Sequence, residues 1–274
     1  MTDHAVLIPT PKGPVGGIVS EPDGERRAAL LLLAGYGRPA RSGVNGFWTR
    51  TARQLAARGV VVLRVDYSRE GETLPIGEGG SGQRWKRDLD LSLLHCVVPW
   101  FRARVTGMPL LLAGACSGAR LSIELAGGDP AGVAGTFLVA PYLRSPAEPG
   151  KEGNASQEGI APVDPQVVEC FRAILARRPS WILVGECDDA DVDRLRAEVE
   201  PTVHELAVEV VPGVALHLLD HPRLQDETAV RLIARVERCL PGSSRHANWR
   251  TREFFNRVFA GKKQIQAWIS FRNS

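Results

Sequence analysis

The chain has 274 residues, 44% of them hydrophobic and 24% charged, ordinary globular values that exclude a disordered, collagenous or fibrous protein. Its net charge of +3 is too small to point to nucleic acid, but it is spread unevenly. Residues 245–274 hold seven basic side chains against Glu253 alone, a local +6, which leaves −3 on the first 244 residues. The longest apolar run, Ala28–Ala34, has seven residues, against about 20 for a spanning helix, so no transmembrane segment is expected. The opening Met-Thr-Asp-His has neither a basic nor an apolar signal region, so no secretory signal is expected. Five cysteines (Cys96, Cys116, Cys170, Cys187, Cys239) form no CxxC pair, which favours thiols in a reducing compartment over a disulfide framework. The expected location is the cytoplasm.

In chain order, Ala5–Ile8 and Pro14–Val19 read as short strands around a Pro/Gly turn, an antiparallel entry. Ala28–Ala34 is a continuous apolar run stopped by Gly35-Tyr36-Gly37, the pattern of a strand buried on both faces. Asn45–Arg58 is helical in period, with Trp48, Ala52 and Leu55 on one side and Gly59 as its C-cap. Val60–Val65 is a β-branched strand. Gln83–Arg104 spaces Trp85, Leu89, Leu93, Cys96, Val97 and Trp100 as a helix that Pro99 kinks or ends. Pro109–Gly114 is a strand, Ala119–Gly127 a helix, and Val133–Ala140 a strand. After a long gap come strands at Ser180–Gly185 and Glu205–Val211 and a closing helix at Leu224–Leu240. Such alternation predicts a mostly parallel sheet covered by helices on both faces. Pro141–Val163, rich in Pro, Gly, Glu and Ser, is too long for a plain connection and reads as a lid or loop insertion.

The most informative stretch is Leu110-Leu111-Leu112-Ala113-Gly114-Ala115-Cys116-Ser117-Gly118-Ala119. It is strand, sharp turn and helix, with glycines two places either side of Cys116. That is the spacing of a nucleophile elbow, G-x-Nu-x-G, in which small neighbours let strand and helix approach around a strained nucleophile. The plainer reading is a tight strand-to-helix turn holding a buried thiol. Metal and nucleotide signatures are lacking: there is no P-loop and no GxGxxG opening a helix. His217 and His221 alone stand four apart, without a third ligand nearby in sequence. No cofactor or metal is expected.

Around this motif, residues 5–240 resemble the α/β-hydrolase superfamily. Ala34-Gly35-Tyr36-Gly37 stands where that family carries its first oxyanion loop, Asp66–Thr73 looks like a degraded D-x-R-G-x-G-x-S stretch, and Trp85–Leu89 resembles a helix signature of the family. The resemblance implies a central, mostly parallel sheet in a domain of residues 1–242, a short lid at 141–163 and an extra C-terminal tail at 243–274. It also implies a triad in the order nucleophile, acid, base. Cys116 is the nucleophile. Asp188, third after Gly185, is the acid, although a helix over 190–198 also needs an N-cap, a role expected of Asp189 or Asp191. The base is His217, four residues after Gly213, with His221 as the alternative. The backbone N–H groups of Tyr36 and Ser117 would form the oxyanion hole. Asp66, Asp88 and Asp90 read as surface or structural, and His4, His95, His204 and His246 as solvated or satisfied.

A cysteine in place of the family's usual serine gives a better nucleophile whose pKa, ordinarily about 8.5, falls beside a histidine and at a helix N-terminus. Dienelactone hydrolases share the cysteine elbow, and some thioesterases and carrier-protein acyl-shuttling enzymes use a Cys-His-Asp set on this fold. Three functions follow from the resemblance: acyl transfer or thioester hydrolysis through an acyl-cysteine, carboxylic-ester or lactone hydrolysis by the same triad, and an inactive binding subunit. The substrate implied is a small-molecule acyl ester or thioester. In the tail, Phe254, Val258, Ile265 and Ile269 fall on one helical face with basic residues between. It reads as a helix packed on the body, a dock for an acidic acyl or peptidyl carrier protein, a surface for anionic membrane, or a homodimer contact.

Overall fold

The computed structural model describes residues 1–35, 41–67, 73, 83–129, 131–144, 163–186, 189–199, 206–212, 219 and 222–241, the side chains of 83–86 and 189–190 excepted. Eight strands form one sheet: β1 (Thr2–Ile8), β2 (Val15–Glu21), β3 (Ala28–Leu33), β4 (Val60–Val65), β5 (Leu110–Ala115), β6 (Gly135–Val139), β7 (Ser180–Gly185) and β8 (Leu206–Val211). Their order is β1-β2-β4-β3-β5-β6-β7-β8. The first two strands make an antiparallel hairpin, β2 joins β4 antiparallel, and every later pairing is parallel. The helices are α1 (Phe47–Ala56), α2 (Gln83–Arg104), α3 (Ser117–Gly128), α4 (Pro165–Leu175), α5 (Asp189–Val199) and α6 (Pro222–Arg238).

The apolar runs at β3, β4 and β5 are continuous because both faces of the sheet are covered. Successive side chains of a strand point to opposite faces, and β3 divides accordingly. Ala29, Leu31 and Leu33 pack with Leu89, Leu93, Val97 and Phe101 of α2 and with α3, α4 and α5. Ala28, Leu30 and Leu32 pack with Phe47, Trp48, Ala52 and Leu55 of α1 and with Leu232, Ile233 and Val236 of α6. Each fully buried Leu contributes about 1.5–3 kcal/mol, so the central strands anchor both layers. Among the described residues, no helix is long and apolar enough to cross a membrane.

Three expectations need correction. Gly59 does not cap α1: Ala57 does, and Gly59, at φ +87, serves the turn into β4. Of the two readings of Pro99, a kink or an end, the end is excluded, because α2 continues through it to Arg104. Neither Asp189 nor Asp191 caps α5, which begins at Asp189; Asp191 lies within the first turn and pairs with Arg144 at 2.8 Å. A fourth difference is an addition, because the gap before β7 contains α4. Its start is well signposted: Asp164 accepts a hydrogen bond from the Gln166 N–H at 2.9 Å, and Pro165 opens the first turn.

Candidate active site

Parallel β5, β6, β7 and β8 lie side by side and in register. Ala115 pairs with Val139, Val139 with Leu183, and Gly185 with Val211. The carboxyl ends of these strands therefore share one edge of the sheet, where open α/β sheets bind ligands. The segment carrying Cys116 leaves that edge after β5, the segment carrying Asp188 after β7, and the segment carrying His217 and His221 after β8. Tyr36, Asp188, His217 and His221 themselves lie outside the described residues, as do 145–162 of the expected lid and the whole of the tail.

Cys116 is the single residue between β5 and α3. Its backbone has φ 51° and ψ −121°, a conformation that costs a non-glycine residue about 1–3 kcal/mol and is kept where the surroundings enforce it. Those surroundings are tight. A Cβ on Gly114 would stand 2.4 Å from the Gly118 carbonyl oxygen, and a Cβ on Gly118 only 2.2 Å from that of Ala34. Only glycine at both places lets the helix start press against β5 and the end of β3. The Cys116 N–H donates to the Val139 carbonyl at 3.0 Å, and its own carbonyl accepts from the N–H groups of Arg120 at 3.2 Å and Tyr142 at 3.1 Å. Held this way, the Cys116 side chain is exposed at the positive end of the α3 dipole, which favours an anion there.

Gly35, within the expected oxyanion loop and the last residue described before 41, lies against the thiol: a Cβ on it would be 3.1 Å from the Cys116 Cβ and 3.9 Å from its Sγ. The Ala34 carbonyl beside it accepts a hydrogen bond from the hydroxyl of buried Tyr67. On the far side of that loop, Arg41 pairs with buried Asp66 at 3.1 Å. The Arg64 guanidinium donates to the Arg41 carbonyl at 2.9 Å and to the Thr49 hydroxyl at 2.6 Å. Burial pushes Arg64 below its ordinary pKa, with Asp3 and Asp66 pulling the other way. Thr73 closes the stretch that begins at Asp66, accepting from the Gly16 N–H at 3.0 Å and donating to the Asp66 carbonyl at 3.2 Å.

Asp66 and Asp90 are buried and Asp88 pairs with Arg87, as structural carboxylates should. His4 and His95 are exposed. Cys170 and Cys239 are pushed above the ordinary thiol pKa by burial. Sequence reasoning missed the buried charges of Arg87, Arg120, Glu124 and Asp164, which meet beneath the elbow. They come from two helices, α2 and α3, and the N-cap of a third, so only the fold reveals them.

Comparison with solved structures agrees with this topology. The chain superposes on a thermostable carboxyl esterase from Bacillus coagulans with a TM-score of 0.64 at 13% identity, covering 86% of this chain and 98% of that one. The fold is that of the α/β hydrolases. A serine α/β hydrolase described as lacking a lid, from Xanthomonas campestris, gives 0.57 at 20% identity over 88% and 97% of the two chains. A dienelactone hydrolase from Anabaena variabilis gives 0.58 at 14%, over 85% and 95%. No family model matches the chain, and no curated protein matches it by sequence. Within this fold, Cys116 sits in a sharp, strained turn from strand to helix.

Proposed function

We propose that the chain is an acyl-transfer enzyme of the α/β-hydrolase fold that works through a covalent acyl-cysteine at Cys116, with His217 as base and Asp188 as its partner. The observation that carries this reading is the strained, exposed Cys116 at φ 51° and ψ −121° between two glycines that nothing larger could replace. A merely structural thiol needs neither the strain nor the exposure. The esterase and dienelactone hydrolase among the structural neighbours support ester or thioester chemistry.

The reaction follows from these parts. The imidazole takes the thiol proton, and the Cys116 thiolate attacks the acyl carbonyl carbon. Its oxygen becomes an oxyanion held by the Ser117 and Tyr36 N–H groups. The carbon–oxygen or carbon–sulfur bond to the leaving group breaks, and the leaving group takes the proton from the imidazolium. Water, an amine or a second thiol, deprotonated by the same imidazole, then attacks the thioester, releasing the acyl product and restoring the thiol.

A second reading, plain hydrolysis of a carboxylic ester or lactone, shares every residue and differs only in substrate and acceptor; the carboxyl esterase neighbour favours it. Turnover of short-chain esters and acyl thioesters by wild type, Cys116→Ala and Cys116→Ser tests both. Cys116→Ala should be inactive and Cys116→Ser a weak esterase, because the serine is harder to deprotonate and reaches less far. An active Cys116→Ala would end the nucleophile assignment.

A further inference from the structure

The carbonyl of Cys116 is held from two sides, by the Arg120 N–H in the first turn of α3 and by the Tyr142 N–H in the segment that follows β6. That segment opens on Ala140, itself at φ 42°, and runs to Arg144, so its position must be imposed by something outside it. The Ala140 N–H donates to the Leu183 carbonyl at 2.7 Å and so holds the start of the segment, and Arg120 holds its end. Its Nη1 donates to the Arg144 carbonyl at 2.6 Å, its Nη2 pairs with the Asp164 carboxylate, and its Nε donates to Glu124 at 3.0 Å. Arg144 and Val163 face each other as an isolated antiparallel bridge, and the Asp164 N–H donates to the Leu143 carbonyl at 2.9 Å. One guanidinium thus grips the chain where it leaves the body and where it returns. Beyond it, the Arg144 guanidinium reaches Asp191 in the first turn of α5 at 2.8 Å, two residues into the helix that follows Asp188 in sequence.

The site is buried and closely matched in charge. Arg120 is 3% exposed and Glu124 6%. Arg87 faces both carboxylates, at 3.6 Å from Glu124 and 4.0 Å from Asp164. A planar guanidinium that fills three directions at once cannot be replaced by an ammonium, which is a point charge without the fork. We propose that Arg120 is a positioning residue for Cys116, fixing the 140–144 segment whose Tyr142 N–H holds the nucleophile's carbonyl. The proposal rests on the reading of Cys116 as nucleophile. It adds a residue that touches neither substrate nor the reacting atoms.

The test is steady-state kinetics on a short-chain ester, with denaturant unfolding of the same samples, for wild type, Arg120→Lys and Asp164→Asn. Small displacements of a reacting group cost up to about 100-fold in rate. Arg120→Lys should therefore lower kcat about tenfold or more while KM stays within about twofold. Asp164→Asn keeps a cap oxygen for the Gln166 N–H but weakens the Arg120 pair, and should lower kcat by a smaller factor in the same sense. A structural role alone would lower the unfolding midpoint and leave the kcat of folded enzyme untouched. If Arg120→Lys does not fold, Asp164→Asn decides: reduced kcat at constant KM supports the proposal, and wild-type kcat overturns it. Inactive wild type, or active Cys116→Ala, would instead remove the nucleophile reading and the proposal with it.

Discussion

Two glycine-to-alanine substitutions at the elbow should fail in different ways. A methyl group on Gly118 would lie 2.2 Å from the Ala34 oxygen and 2.3 Å from the Leu33 oxygen, more than 1 Å inside the 3.4–4 Å of ordinary contact. Both obstacles are backbone, so α3 must withdraw from β3. Overpacking of this kind costs about 1–3 kcal/mol or more, a shift readily measured as a lowered denaturant midpoint at unchanged slope. A methyl group on Gly35 meets the Cys116 Cβ at 3.1 Å and the Ala115 oxygen at 3.4 Å, so a few tenths of an ångström suffice. Gly35→Ala should change stability by less than about 1 kcal/mol, the usual range for a substitution that creates no cavity or broken pair. The group it displaces is the nucleophile, however, so acylation should slow by about tenfold or more. Denaturant unfolding and burst-phase acylation of both variants form the assay. A Gly118→Ala protein as stable as wild type would refute the close-packed elbow. A Gly35→Ala protein that acylates at the wild-type rate would refute the placement of the thiol beside Gly35.

Alkylation by iodoacetamide should reach Cys116 before Cys170 and Cys239, whose burial raises their pKa, and substrate should protect it; peptide mapping that finds another cysteine labelled first would count against the assignment. Asp188→Asn should fold yet lose most of its rate, because an amide cannot hold the imidazole tautomer or stabilise imidazolium; if His221→Ala is inactive and His217→Ala active, the base is His221. Glu209 is pushed up by burial, but the hydrogen bonds from Arg235 and Arg231 outweigh this and leave it below its ordinary 4.5. Its contribution to stability is therefore full above pH 4.5 and lost as pH falls through the lower folded value. The stability gap between wild type and Glu209→Gln should close over that acid range in denaturant titrations, and a gap independent of pH would contradict the ion pairs. Deleting residues 245–274 should spare a small ester and weaken acyl transfer from an acidic carrier protein, with added salt mimicking the deletion in full-length enzyme; equal loss on both substrates would point to a structural tail.

Most of the architecture was legible because buried parallel strands are written as unbroken apolar runs. β4, β7 and α2 begin and end where the pattern of Val60–Val65, Ser180–Gly185 and Gln83–Arg104 puts them. The elbow was legible for a different reason: Gly114 and Gly118 are demanded by backbone approach, and such a demand appears in sequence as fixed spacing. Helix α4 is not among the expected elements, although Asp164-Pro165 is a good N-terminal signal and Val167, Val168, Phe171, Ile174 and Leu175 have helical spacing. It follows directly on the Pro/Gly-rich insertion, so in the sequence pattern the two merge into one gap. Pro99 predicts a kink or an end, yet the flanking turns of α2 bury Leu93, Leu94, Val97 and Phe101, and that packing carries the helix across it. The Arg120 cluster was not legible at all. Its members lie at positions 87, 120, 124 and 164, and no local pattern marks a residue whose partners are set by how helices meet.

The claim on which the account turns is that Cys116 carries the acyl group. Intact-protein mass spectrometry after rapid mixing with a short-chain acyl thioester, quenched in acid, tests it directly. The account predicts a mass increase of one acyl group, mapped to the peptide containing Cys116, cleared by hydroxylamine and absent from Cys116→Ala. Turnover of that substrate with no acyl adduct at any time, or an adduct that persists in Cys116→Ala, would contradict it.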